Sequence, residues 1–170
     1  MRRTVFVAIA GLIFAFTFFY VVAWPSSVSS ESSIENSLGF DKVKPGELLY
    51  AGIGPFKVIG RKKVTVVTVK LHDGSPGIEL VDTRLDLYGP GFVGLGAERE
   101  GGELVPQLEK LPHAPDADLR PSQAGGLYVA FRVTDPGSYR FRGVEIVYQA
   151  GWLTRTSIVG PSVTAEVPAA

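Results

Sequence analysis

Few residues in this chain have the type and spacing to do chemistry. His72 and His113 are its two histidines. His72 stands beside Asp73, and His113 lies between Pro112 and Pro115, close to Asp116 and Asp118. A zinc site takes three or four protein ligands, and no ligand spacing links these residues. Asp116-Ala117-Asp118 lacks the glycine and distal glutamate of a calcium loop. Asp82 and Asp86, four apart on a predicted strand, would stand about 13 Å apart. That is too far for the paired carboxylates of a glycoside hydrolase; with Arg84 between them they read as a solvated, ion-paired face. Ser75, Ser122 and Ser138 all adjoin Pro or Gly, where serine forms turns, and no G-x-S-x-G motif occurs. Gly89-Pro90-Gly91-Phe92-Val93-Gly94 matches G-x-G-x-x-G, but a dinucleotide site needs a helix to begin within the motif. Pro90 opposes one, as do glycines 96, 101 and 102, at about 1 kcal/mol per glycine, so the segment reads as an inter-strand loop.

Composition narrows the chemistry further. The 170 residues contain no cysteine and a single methionine, Met1. That excludes a disulfide framework, thiolate metal sites, iron–sulfur clusters and a cysteine nucleophile. Formal net charge is zero, and without Arg2 and Arg3 the rest of the chain carries −2. A general nucleic-acid binder needs enough positive charge to neutralise several phosphates. The expectation is no catalytic set, no cofactor, no metal and no nucleic acid.

The candidates for binding are different residues. Arg61-Lys62-Lys63 forms a basic turn, and Arg140 and Arg142 share one strand face. Both suit an anionic partner, or equally a solvated tip and an edge protected from aggregation. The segment from Pro90 to Ala124 is long and rich in Gly, Pro and Asp, and long loops often bind. Its apolar residues, Phe92 among them, would cover the sandwich or face a partner. Trp152 follows a hairpin tip and is either an interface anchor or a core residue of the last strand.

These residues need a scaffold, and from Pro45 onward the pattern is β. Val64–Leu71 is rich in β-branched residues. Between Ile78 and Tyr88 the chain alternates, with Val81, Thr83, Leu85 and Leu87 on one face and Asp82, Arg84 and Asp86 on the other. Leu127, Val129, Phe131 and Val133 alternate with Tyr128, Ala130, Arg132 and Thr134. Val144, Ile146 and Tyr148 alternate with Glu145, Val147 and Gln149. Leu48–Ile59 and Trp152–Val167 add weaker strands, and Val105–Leu111 reads as a short helix or strand. The phase breaks at Gly143, where a β-bulge would absorb one residue, and Ala150-Gly151 predicts a tight hairpin. Without long crossover helices a parallel sheet is disfavoured. The expected fold is all-β, an antiparallel sandwich of about seven strands.

Asp135-Pro-Gly137-Ser-Tyr139-Arg-Phe141 has the form D-x-G-x-Y-x-hydrophobe at the start of the penultimate strand. It resembles the immunoglobulin-like pattern in which the tyrosine bonds back to the preceding corner. The resemblance implies a structural role for Asp135, Gly137 and Tyr139. It places Phe141 where the second cysteine of that family stands, so packing would replace the disulfide.

Ahead of this domain, Thr4–Trp24 holds 21 residues without a charge. A helix of that length crosses the roughly 30 Å hydrocarbon core. Arg2 and Arg3 favour the cytoplasmic side, and Tyr20 and Trp24 suit the opposite interface. The expected organisation is a cytoplasmic stub at 1–3, a signal-anchor at 4–24, a Ser-rich tether at 25–44 and an extracytoplasmic domain at 45–167. The tether would reach on the order of 25 Å. The alternative is secretion after signal cleavage, at a site such as Val21-Val22-Ala23. The function this predicts is a non-catalytic interaction or scaffold module in the cell envelope, with another envelope or membrane protein as partner. Next comes a binding or sensing module for an anionic wall or lipid component, and last an unrecognised enzyme.

Overall fold

The computed structural model describes residues 13, 26–30, 37–87, 93–97 and 107–169. Among them no helix is long and apolar enough to cross a membrane. The stretch 4–24 lies outside the described residues except for Ile13.

The β-branched runs form strands where expected, and the described residues hold ten. They are β1 (Ser27–Ser30), β2 (Ser37–Phe40), β3 (Leu48–Ile59), β4 (Val64–Leu71), β5 (Ile78–Asp86), β6 (Val93–Ala97), β7 (Asp118–Leu119), β8 (Ala124–Val133), β9 (Gly137–Ala150) and β10 (Leu153–Val167). One sheet runs β1-β3-β8-β5, with β6 also pairing β3; the other runs β2-β10-β9-β4-β7. All pairs are antiparallel except β2 with β10, which is parallel.

Three sequence expectations change here. The stretch 25–44 was expected as a solvated tether, yet it supplies β1 and β2, and Val28 and Val43 are buried in the core. Ser-rich composition lowers hydrophobicity, but these segments pair through their backbones and bury only one or two apolar side chains each. The terminal strands expected to be weak, β3 and β10, are 12 and 15 residues long. The segment from Pro90 to Ala124 is not wholly irregular, since β6 and β7 lie within it.

The inner faces meet in one core. Leu49, Ala51, Ile53, Phe56, Leu85, Leu127, Val129 and Phe131 of the first sheet pack on Val64, Val66, Phe141, Val144, Ile146 and Tyr148 of the second. Phe131 and Phe141 meet edge to face across the sheets, centroids 5.2 Å apart. Such a contact adds about 0.5–1.5 kcal/mol beyond area burial. Phe141 is the residue the resemblance sets at the second cysteine, and its ring packing joins the sheets there.

Several long strands change phase. In β5 the ladder shifts between Leu80 and Asp82, so Val81 turns out and is 43% exposed. The alternation put Val81 on one face with Thr83 and Leu85; the extra residue turns it to the other. In β9 the phase changes at Gly143, as expected. There β10 sets Gly160 and Pro161 opposite the single Gly143, so the extra residue belongs to β10. Gly143 has φ +80°, and a Cβ would fall 2.8 Å from the Val159 carbonyl oxygen. The position therefore requires glycine.

The Asp135–Tyr139 motif forms the corner anticipated for it. The Tyr139 hydroxyl donates to the Asp135 carbonyl at 2.9 Å, and its ring packs over Gly77 and Gly137. The Gly151-Trp152 turn joins β9 to β10, with Ala150 paired to Leu153.

One segment closes a side of the sandwich. The Leu85 amide donates to the Pro112 carbonyl at 3.0 Å and the Ala114 amide to the Thr83 carbonyl at 2.9 Å, along the outer edge of β5. A few residues on, the Asp116 amide donates to the Val66 carbonyl and the Val66 amide to the Ala117 carbonyl, along the edge of β4. Pro112–Leu119 thus covers an edge of both sheets, satisfying edge groups that would otherwise template association.

Candidate functional site

Two surfaces gather the candidate residues. The first is the end of the sandwich built by the β3–β4 turn, the β7–β8 turn and the β9–β10 hairpin. Register places them together: Gln149 pairs with Thr65 and Ala150 with Leu153, so Trp152 projects level with Lys63. Trp152 is 75% exposed. It is therefore not a core residue of the last strand. Arg120 follows Leu119, which pairs with Val64, and the turn after it bonds to Val58 through the Ser122 amide. Lys63 Nζ lies 2.7 Å from Asp118 Oδ2. Lys63 and Thr65 both donate to the Asp118 carboxylate, which holds its pKa below the usual value. This end thus carries Arg61, Lys62, Lys63 and Arg120 against Asp118.

Ser26 sits inside the same end. It is wholly buried, its hydroxyl donating to the Lys62 carbonyl at 2.6 Å and accepting from the Lys62 amide at 2.8 Å. Gly60, at φ +128°, makes room for it, since a Cβ there would fall 2.6 Å from the Ser26 Cα. The chain therefore enters the domain through the basic turn.

Arg140 and Arg142 do not join this group. They share an exposed face of β9, as expected, but toward the opposite end. The Arg140 guanidinium lies 3.4 Å from the Ser162 hydroxyl, and that of Arg142 4.0 Å from Asp73. Phe92 lies outside the described residues.

The second surface is a cleft of about 180 Å³ on the outer face of the first sheet. Leu48, Tyr50, Val81, Leu108, Tyr128 and Ala130 line it, with Asp82, Arg84 and Glu109. Tyr128 and Ala130 alternate with the core residues Leu127 and Val129, yet they too are buried. Gln107–His113 runs beside them and is held by β5. Arg84 Nη1 donates to the Leu111 carbonyl at 2.8 Å, and Arg84 Nε to Asp82 Oδ2 at 2.6 Å. His113 Nδ1 lies 2.9 Å from Asp82 Oδ1. Partial burial raises the pKa of Asp82. Hydrogen bonds from Arg84, His113 and the Thr83 amide, with the Arg84 charge, outweigh burial and bring it below the ordinary 3.8.

The chemistry-bearing residues are thus dispersed. His72 lies 3.6 Å from Asp73, while His113 belongs to Asp82 rather than to Asp116 or Asp118. Among the described residues no three His, Asp or Glu side chains gather as metal ligands. The end of the glycine motif, Val93-Gly94, opens β6, a strand rather than the helix a pyrophosphate would need. The ion pairing of Arg84 with Asp82 was anticipated, whereas sequence reasoning missed Ser26, Arg120 and the place of His113 beside Asp82, each joined through distant chain segments. The arrangement of the two surfaces suits contact with a partner: one offers charge and an aromatic, the other an apolar recess.

Strand order and the Tyr139 corner define the class, an immunoglobulin-like β-sandwich. No family model and no curated protein matches the chain. Among solved structures it is similar to the VesB protease of Vibrio cholerae, at 6% identity over 91% of this chain with a TM-score of 0.38. It spans 35% of that protease chain. It is also similar to the PapD-like domain 7 of human CEP192, at 10% identity and TM-score 0.38, covering 86% of this chain and 87% of that one. The CooA pilin subunit of enterotoxigenic Escherichia coli matches at 13% identity and TM-score 0.35, over 85% of this chain and 99% of that one.

Proposed function

We propose that this chain is a membrane-anchored, extracytoplasmic interaction module that engages another envelope protein without catalysing a reaction. Residues 4–24 act as the anchor, supported by their length and lack of charge. The observation that carries the partner is the cleft on the first sheet. An outer sheet face is ordinarily polar and solvated. Here it holds an apolar recess, with Val81 turned out beside it by a bulge and Arg84 engaged in holding Gln107–His113 in place. A recess of this size takes one or two apolar side chains of a protein partner.

The test is photo-crosslinking in intact cells, with a benzophenone amino acid at Val81 in the cleft or at exposed Val67 on the second sheet, in the full-length chain. One discrete protein adduct at Val81 that is absent at Val67 is the expected result. No adduct at Val81, or the same products at both positions, rejects the reading.

A further inference from the structure

We propose that the end formed by Arg61–Lys63, Arg120 and Trp152 rests on the bilayer, its basic side chains against anionic phospholipid headgroups and the Trp152 indole in the interfacial layer. The inference rests on reading residues 4–24 as a membrane span, and it adds which surface of the domain faces lipid.

Three observations converge on this end. The first is where the chain enters. Trp24 closes the apolar stretch, and Ser26, two residues on, is buried in the basic turn and bonded to Lys62. Two residues span at most about 7 Å, so the end of the anchor and this end of the domain are held together. The second is charge. Among the described residues, Arg61, Lys62, Lys63 and Arg120 stand with Asp118 at the tip; one step further back, Lys57 on β3 is offset by Asp86 on β5, and Asp116 bonds to Val66 along the β4 edge. A chain whose remainder is slightly acidic thus concentrates positive charge beside its anchor. Each basic side chain near an anionic surface favours association roughly fivefold. The third is Trp152, exposed at the tip of a tight hairpin level with Lys63. Tryptophan favours the membrane interface, where its ring is half apolar and its N–H stays wet. An exposed indole there has a place to go once the end meets lipid.

Trp24 and Trp152 are the only tryptophans, which makes the test direct. Full-length Trp24→Phe is reconstituted in vesicles of phosphatidylglycerol or phosphatidylcholine carrying brominated acyl chains, and Trp152 fluorescence is followed. The expected result is a blue shift and bromine quenching in phosphatidylglycerol, reversed by 0.5 M salt and by Arg61→Glu/Lys62→Glu/Lys63→Glu, with neither change in phosphatidylcholine. The salt reversal needs no substitution and stands if the triple variant fails to fold. A Trp152 that stays water-exposed in both lipids overturns the proposal. Equal quenching in both overturns its electrostatic basis. Shielding by added inorganic polyphosphate, without quenching in phosphatidylglycerol, replaces lipid with a polyanionic polymer. The companion Trp152→Phe chain reports the anchor separately. Trp24 quenched in both lipids upholds the span, whereas unquenched Trp24 rejects the span and the docking with it.

Discussion

The two ends of the sandwich are built on opposite plans. At the far end, backbone and side chains are spent on one another. The Tyr139 hydroxyl closes on the Asp135 carbonyl, the Ser75 hydroxyl and amide tie to Arg140, the Gly46 amide reaches the Val133 carbonyl, and the Val43 amide that of Glu166. At the near end the backbone is equally well bonded, through Ser26 and Lys62, but Trp152, Arg61, Lys62, Lys63 and Arg120 are exposed, Lys63 paired to Asp118. The difference separates residues that specify the fold from residues available to a partner. The motif with the clearest sequence signature, the tyrosine corner, falls in the first group, its hydroxyl occupied by the Asp135 carbonyl.

Substitutions should break this contrast unevenly. The largest loss is expected between the ends, where Phe141→Ala removes the ring that meets Phe131 across the sheets. A cost of about 3–5 kcal/mol would lower the melting temperature of the full chain in detergent by about 10–20 °C, followed by circular dichroism. Tyr139→Phe keeps the ring and deletes one hydrogen bond, so about 1 kcal/mol is expected, read as a shift in denaturant midpoint with unchanged slope. Asp82→Asn should cost less than about 1 kcal/mol at neutral pH, because the carboxylate is largely solvent-screened. Its effect is sharper against pH. The folded state depresses the Asp82 pKa, so its contribution is present above the ordinary value near 3.8 and lost as pH falls through the folded value. Melts from pH 7 to 3 should show the unmutated chain losing more stability below about pH 4 than Asp82→Asn. Smallest of all, Trp152→Ala should leave stability within about 0.5 kcal/mol, read as the melting temperature of the full chain in detergent. A large drop in melting temperature would put Trp152 with the far end rather than against it.

Short-range chemistry was legible in the sequence and long-range pairing was not. The corner at Asp135–Tyr139, the break at Gly143 and the hairpin at Gly151 each follow from a few adjacent residues. Val81 was misplaced because a period of two cannot reveal an extra residue in the ladder. The same effect disguised β3, whose inward residues run Leu49, Ala51, Ile53 and then Phe56 and Val58, across a shift at Ile53. β1 and β2 escaped notice because their pairing is carried by backbone, which leaves little trace in side-chain pattern. Of the candidate residues, Lys63 and Trp152 were singled out separately. Only the register of β4 on β9 shows that they share one end. His113 likewise belongs to Asp82, 31 positions away, and no spacing rule connects them.

The parallel pairing of β2 with β10 has a mechanical consequence. Ser37–Phe40 lies alongside Ser162–Ala165 in the same direction. The chain enters at the near end through Ser26, and β10 runs out at the far end, where Val167 pairs with Gly137. Tension between the N-terminal segment and the C-terminus would meet β1 on β3 first and, once β1 yields, pull β2 and β10 along their length in opposite senses. Their hydrogen bonds would be loaded in shear, all at once, rather than unzipped one by one.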